Sequence, residues 1–338
     1  MSLLEINNLR VSFHLGHGRK LQAVRNVSLE IGRGESVGLV GESGCGKSTL
    51  ASAVMRLIPA DGGVVSYAGD NVLAMRGRKL FDFRKKAQMV FQDPYGSLNA
   101  RISVGSAIRE CLDVHGIGAA AERRERVVDL LNTVGLDAAH AGRYPHEFSG
   151  GQRQRIGIAR SLAVNPEFIV ADEPVSALDV SIQAQILNLL KDLQEQKHFS
   201  ILFIAHDLAV VRYMCSRIYV MYLGEIVESG GAEDVFTRPA HPYTRALLEA
   251  VPDIDGVRRR RPDRFMEHVD GERSASSVRS IENGKWKMEN SSPSPSVSGC
   301  PFHPRCSQAV EICRSQKPEM IKAAAGHLCR CHFVENYG

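Results

Sequence analysis

The chain has 338 residues, 43% of them hydrophobic and 24% charged, with a formal net charge of +4. These proportions suit a soluble globular protein with one large domain and an extension, big enough to fold without disulfide staples. No apolar run approaches the ~20 residues of a membrane span, the segment MSLLEINNLR lacks a basic-then-apolar leader, and so small an excess of positive charge does not point to nucleic acid.

In chain order, Leu3–Phe13 and Ala23–Ile31 read as antiparallel strands. Ser36–Val40 is a short apolar strand and helical periodicity sets in at Leu50, so residues 36–58 predict strand, loop and helix. Between strand and helix stands GESGCGKS, residues 41–48, followed by Thr49. Gly41, Gly44 and Gly46 let the backbone wrap around phosphates, with Ser43 and Cys45 completing the loop. Its amides and the helix N-terminus face negative charge. Lys47 is placed to reach the β- and γ-phosphates of a nucleotide, the Ser48 hydroxyl to hold Mg²⁺ and Thr49 to bond an α-phosphate oxygen. Cys45 is either a packing residue or a thiol of lowered pKa near a helix N-terminus.

Val64–Leu73 reads as a further strand pair, and residues 99–143 carry helical pattern, clearest over Ala119–Val134. FSGGQ, residues 148–152, precedes a helix over Gln152–Ala163. Ser149 with Gly150 and Gly151 there makes a second anion-binding helix N-terminus. Phe168–Ala171 predicts a buried strand of a parallel sheet. Asp172 at its C-terminal end is placed for Mg²⁺, directly or through water, and Glu173 is the candidate base that polarises the attacking water. An amphipathic helix over Val180–Gln196, a strand over residues 200–205 that ends before His206, and strand pattern over Ile218–Glu228 close the domain. Phosphate loop, FSGGQ, carboxylate strand, SALD at 176–179 and His206 in this order imply binding and hydrolysis of ATP.

FSGGQ resembles the signature of the ATP-binding-cassette (ABC) family, usually LSGGQ, and the resemblance covers about residues 1–250. It implies an α/β ABC-type nucleotide-binding domain with a mostly parallel sheet, an antiparallel β subdomain and an α-helical subdomain at about 99–165. It further implies that Gln92 is the Q-loop glutamine, serving both Mg²⁺ and catalysis, that His206 is the switch histidine on the γ-phosphate, and that Phe13 stacks on adenine. Ser149, Gly150, Gly151, Gln152 and the D-loop Asp179 would then contact the ATP held by a partner cassette. Each motif occurs once, so a second ABC ATPase subunit, a copy or a related chain, is needed to complete two composite sites.

FQDPYGSLNAR at 91–101 and RPAHPYTRALLEAV at 238–251 resemble segments of the dipeptide, oligopeptide and nickel importer ATPases. Locally, the second predicts a turn at His241–Tyr243 and a helix capped by Thr244 and ending near Ala250. The resemblance implies a peripheral ATPase on the cytoplasmic face of the membrane, two transmembrane permease subunits and, indirectly, an extracytoplasmic solute-binding protein. Peptide cargo is expected, with nickel or another small solute as the alternative. A soluble ABC ATPase acting on DNA or ribosomes would show tandem cassettes or stronger basic patches, and an iron–sulfur redox enzyme a second redox motif.

Residues 1–252 are thus expected to form the ATPase domain. Residues 253–299, with the Arg258–Arg261 run and SSPSPS, form a polar linker, longer than the Pro-rich connection of the similar importers. Residues 300–338 form a Cys-rich module. Five of the eight cysteines lie there, Cys300, Cys306, Cys313, Cys329 and Cys331, and thiols in a reducing compartment point to metal rather than disulfides. GCPFHPRC…C…C resembles the importers' C-terminal module, which implies a 4Fe–4S cluster on Cys300, Cys306, Cys313 and Cys331, with Cys329 outside. Zinc with His303 or His332 is the alternative. Cys111 and Cys215 read as core residues.

Overall fold

The computed structural model describes residues 2–16, 19–249, 279–282, 285–288 and 298–334. The Arg258–Arg261 run and SSPSPS lie outside the described residues. The chain opens with β1 (Ser2–His14) and β2 (Lys20–Gly32), each longer at both ends than the apolar pattern suggests. Then come β3 (Ser36–Val40), α1 (Lys47–Val54), β4 (Gly62–Tyr67) and β5 (Asp70–Asn71). The strand pair expected at Val64–Leu73 therefore closes early, because Asn71 caps a 3₁₀ turn over Val72–Ala74 through its side chain. Next are α2 (Gly77–Lys86), β6 (Ala87–Val90), α3 (Pro94–Ser97), α4 (Val104–Val114), α5 (Ala120–Thr133) and α6 (Gly150–Leu162). The second half holds β7 (Phe168–Asp172), α7 (Val180–Lys197), β8 (Ser200–Ala205), α8 (Leu208–Met214), β9 (Arg217–Tyr222), β10 (Glu225–Gly231), α9 (Ala232–Thr237) and α10 (Pro242–Glu249). It ends with β11 (Arg279–Glu282), β12 (Lys285–Met288), α11 (Glu311–Ser315), β13 (Ile321–Ala324) and β14 (His327–Cys329).

The main sheet runs β13-β14-β10-β9-β3-β8-β7-β6, and a four-stranded antiparallel sheet runs β2-β1-β4-β5. From β9 to β6 the main sheet is parallel. From β9 outward it is antiparallel, through β10 to β14 and β13. The expected mostly parallel sheet is thus a mixed one.

Period-two alternation divides the core into two faces. Ile169, Ala171, Ile201, Phe203 and Ala205 face the helical side with residues of α4, α6 and α7. Val170, Leu202 and Ile204 face the antiparallel sheet and the apolar residues of α1. Helix α1 is thereby sandwiched between two sheets, which fixes the loop in front of it. No helix among the described residues is long and apolar enough to cross a membrane.

The described tail docks onto this body. Strand β14 pairs with β10 (Glu228 opposite Cys329, Ser229 opposite Leu328). The Glu228 side chain is fully buried. Its carboxylate accepts from the Ala240 amide at 2.7 Å and the His241 amide at 2.9 Å, and His327 Nε2 donates to it at 2.6 Å. A buried charge is tolerated only with such partners.

Candidate active site

The Gly-rich segment forms a loop that other residues would obstruct. Gly44 has φ +82° and Gly46 φ +110°, the left-handed region that glycine enters without strain. A Cβ on Gly46 would stand 2.2 Å from the Ala23 carbonyl oxygen. Helix α1 follows Gly46 at its N-cap, with no side-chain cap and no acidic residue in its first turn. Its leading N–H groups are therefore left for an external acceptor, and the helix dipole favours an anion there. Thr49 is buried at the same end and Ser43 is exposed on the loop.

Six of the expected residues come together at this loop. Ser48 Oγ donates to Asp172 Oδ1 at 3.0 Å, so the expected Mg²⁺ oxygens meet although 124 residues separate them. Lys47 is buried, and its ammonium donates to the carbonyls of Gly41 (2.7 Å) and Glu42 (3.0 Å) and stands 3.8 Å from Glu173 Oε1. Gln92 Nε2 donates to Glu173 Oε2 at 2.9 Å. His206 Nδ1 lies 3.6 Å from the same oxygen, an ion-pair distance longer than a hydrogen bond. Glu173 itself has φ +45°, a conformation uncommon outside glycine and found at functional sites. Its amide donates to Ile204, which ties β7 to β8 beside the carboxylate.

The charges set the protonation states. The neighbouring His206 and then Lys47 hold the Glu173 carboxyl below its ordinary range, against the opposing effect of burial. Glu173 in turn raises His206. At neutral pH Glu173 is a carboxylate gripped by an ammonium, an amide and an imidazole, three groups able to meet a terminal phosphate. Burial pushes the Cys45 thiol up, so the packing alternative holds and the lowered-pKa alternative does not: desolvation outweighs the nearby Lys47 and the helix end.

The other expected nucleotide residues lie apart from this set. Phe13 on β1 is half-buried and packs against the apolar cluster beside α1. Ser149 caps α6, its Oγ accepting from the Gln152 amide at 3.3 Å while Gln152 Oε1 accepts from the Ser149 amide at 3.0 Å. A Cβ on Gly151 would stand 2.5 Å from Ile182 Cγ2, so glycine there lets α7 approach. Asp179 is exposed at the start of α7 and makes no capping bond with its side chain. Among the described residues neither Phe13 nor Ser149, Gly150, Gly151, Gln152 or Asp179 hydrogen-bonds to residues 41–49.

Behind the loop lies a layer that the motifs do not announce. The Glu42 amide donates to Tyr243 Oη at 2.8 Å, and Tyr243 packs on Tyr222 and Phe302 with ring centroids 4.6 and 5.5 Å away. Helix α10 starts at Pro242, so Thr244 is buried within its first turn and does not cap it. His241 does, its Nδ1 accepting from the Tyr243 amide at 3.0 Å. Burial keeps that imidazole neutral, its pKa pushed down to about 4. The HPYT segment was the only signal of this layer in the sequence.

Cys300, Cys306, Cys313 and Cys331 line one small pocket with Phe302, His303 and His332, while Cys329 is buried in a separate apolar cluster with Ala240 and Val334. The expected metal shell is not formed: among the described residues no group of three or more His, Cys, Asp or Glu side chains is arranged to hold a metal ion. Burial raises the thiols of Cys300, Cys306 and Cys331. Of the remaining cysteines, Cys215 is buried in the core and Cys111 packs against it.

Comparison with known proteins follows this geometry closely. Residues 24–176 match the ABC transporter family and residues 227–313 match the "Oligopeptide/dipeptide transporter, C-terminal region" family. The chain is 45% identical to the putative oligopeptide transport ATP-binding protein YkfD of Bacillus subtilis, over 99% of this chain and 97% of that protein. It is 55% identical to the oligopeptide transport ATP-binding protein OppF of the same organism, over 74% of this chain and 82% of that one. The dimeric ATP-binding cassette MJ0796, solved in a post-hydrolysis state with ADP and Pi, superposes with a TM-score of 0.62 at 31% identity, covering 68% of this chain and 98% of its own.

Proposed function

This chain belongs to the ATP-binding proteins of the ABC transporter family, in the oligopeptide/dipeptide branch, and from that premise we infer that it is the ATPase subunit that powers a peptide importer. The observation that carries the reading is the convergence of Ser48, Asp172, Lys47, Gln92 and His206 around Glu173, at the mouth of an uncapped helix.

ATP enters with its phosphates over the Gly41–Gly46 backbone and the first amides of α1, and Phe13 covers the adenine. The γ-phosphate competes with Glu173 for Lys47, Gln92 and His206. Its arrival releases the carboxylate, which then orients a water molecule for in-line attack and takes up its proton. The Ser48 hydroxyl and the Asp172 carboxylate, a fitting hard-oxygen pair, would hold Mg²⁺, which would supply positive charge against the phosphates. Gln92 serves both this oxygen set and Glu173. Ser149, Gly150, Gly151, Gln152 and Asp179 act on the nucleotide of a second ATPase subunit. Their location away from this chain's own loop and the likeness to a dimeric cassette support that assignment.

Dimer closure is passed to two transmembrane permease subunits from the cytoplasmic face, and an extracytoplasmic binding protein delivers the peptide. The domain plan is an ATPase over 1–252, a linker over 253–299 and a cysteine module over 300–338. In that module Cys300, Cys306, Cys313 and Cys331 would hold a 4Fe–4S cluster, with zinc as the competing occupant. Four soft thiols lining one pocket are what supports this reading.

The experiment is ATP hydrolysis by the chain reconstituted with its permease and binding protein, with and without oligopeptides. Peptide-stimulated hydrolysis is expected, and stimulation by a non-peptide solute alone overturns the cargo. Iron and acid-labile sulfide in anaerobically purified protein, lost in Cys306→Ser but kept in Cys329→Ser, test the cluster.

A further inference from the structure

The tail reaches the phosphate loop directly. Arg305, in the 3₁₀ turn between Cys300 and Cys306, donates from Nη1 to Glu42 Oε2 at 2.9 Å and from Nη2 to Glu42 Oε1 at 2.8 Å. Two parallel bonds between guanidinium and carboxylate are the geometry in which arginine is most selective. The guanidinium is steadied by the rings of Phe302 and Tyr222, whose centroids lie 5.7 and 5.9 Å from its carbon.

Glu42 is the second residue of the phosphate loop and is held at three points. Tyr243 takes its amide hydrogen, Lys47 donates to its carbonyl and Arg305 holds its carboxylate. Its position is electrostatically awkward. A carboxylate beside a site built for a triphosphate repels the ligand within the ~8 Å over which charges act in physiological salt. The main chain of Glu42 also carries part of the seat of Lys47, so movement at Glu42 moves the ammonium meant for the β- and γ-phosphates.

We propose that Arg305 is a positioning residue for ATP binding: from the C-terminal tail it neutralises and fixes Glu42, so that the phosphate loop accepts a nucleoside triphosphate. This rests on the assignment of residues 41–49 as the ATP site and adds to it a requirement for a docked tail. The 3₁₀ turn that carries Arg305 also supplies the wall of the cysteine pocket through Phe302 and His303. Anything that rearranges that pocket is therefore felt at the nucleotide.

The test is equilibrium binding of Mg-ATP to the full chain, with hydrolysis kinetics beside it. Arg305→Ala should weaken binding by about five-fold at low salt, the worth of one partly screened charge, and by less at high salt. KM should rise while kcat holds, because Arg305 touches no reacting atom. Arg305→Lys, keeping charge without the fork, should fall between. Glu42→Gln/Arg305→Ala should recover part of that loss, since the repelling charge is gone while residue 42 stays unfixed. A tail that merely unfolded would weaken binding in single and double variants alike. Parental binding with no change in Arg305→Ala overturns the proposal alone, as does a double variant as weak as the single. A parent that binds no Mg-ATP overturns the ATP assignment as well.

Discussion

Replacing Glu173 with Gln separates two roles that the structure assigns to one carboxylate. The amide keeps the shape and a bond to Gln92 but has neither charge nor basicity. A positioned general base contributes typically 10²–10⁴-fold, so turnover should fall by at least about 100-fold, equivalent to ~2.7 kcal/mol of barrier. Binding should move the other way. Lys47 stands 3.8 Å from Glu173 and both side chains are largely buried; a pair at that range attracts with ~4 kcal/mol at an effective dielectric near 20, before desolvation offsets most of it. Removing that competitor frees Lys47 for the γ-phosphate, so Mg-ATP should bind at least as tightly and the nucleotide-bound dimer should accumulate. His206 gives an independent readout. Its pKa is raised first by Glu173 and should drop toward the ordinary imidazole value, followed by NMR titration. The raised His206 contributes stability that is complete below the unfolded value and is lost as pH rises through the folded one. The depressed Glu173 contributes stability that is lost as pH falls through its folded value. The variant should lose both contributions, flattening the pH dependence of stability. Hydrolysis at near the parental rate, or an unmoved His206 titration, refutes this account.

Ser149→Arg should leave Mg-ATP binding by the single subunit within about two-fold, yet abolish nucleotide-driven dimerisation in sedimentation or light scattering; lost binding by the monomer would place FSGGQ in its own chain's site. Cys45 should react with iodoacetamide at least about ten-fold more slowly than glutathione at pH 7.5, because burial raises its pKa; fast labelling, mapped by mass spectrometry, contradicts this. Glu228→Ala strands two backbone amides and His327 inside the protein, and should cost roughly 3–5 kcal/mol in urea unfolding. A loss under about 1 kcal/mol would mean that the tail is not pinned there.

The catalytic half was legible because its chemistry is local. Three glycines, Lys47 and Ser48 within eight residues, an apolar strand before them and Asp172–Glu173 ending another state their geometry in the chain itself. The signature's action on a partner's nucleotide and the role of Gln92 were legible only through resemblance, since a capped helix and an exposed amide are ordinary features. What escaped was structure that exists only on contact. Strands β13 and β14 have four and three residues, too few to show a period; β14 forms on the edge that β10 offers, and β13 on β14. Arg305 reads as one more charge beside a cysteine, and Glu228 as the polar end of a strand; neither carries a mark of the partner far away in sequence. Thr244 misled for a local reason: His241 and Pro242 start the helix earlier than a Ser/Thr rule expects.

The late arrival of β14 has a consequence for how the protein is made. Strand β10 leaves the ribosome about a hundred residues before its neighbour. At synthesis rates of 5–20 residues per second this leaves an open sheet edge for about 5–20 s, with the Glu228 carboxylate held by the Ala240 and His241 amides but not yet by His327. A carboxylate on an open edge strand is one of the features that discourage pairing with other chains. The same carboxylate that later anchors the tail thus protects the unfinished sheet from its neighbours until the tail exists.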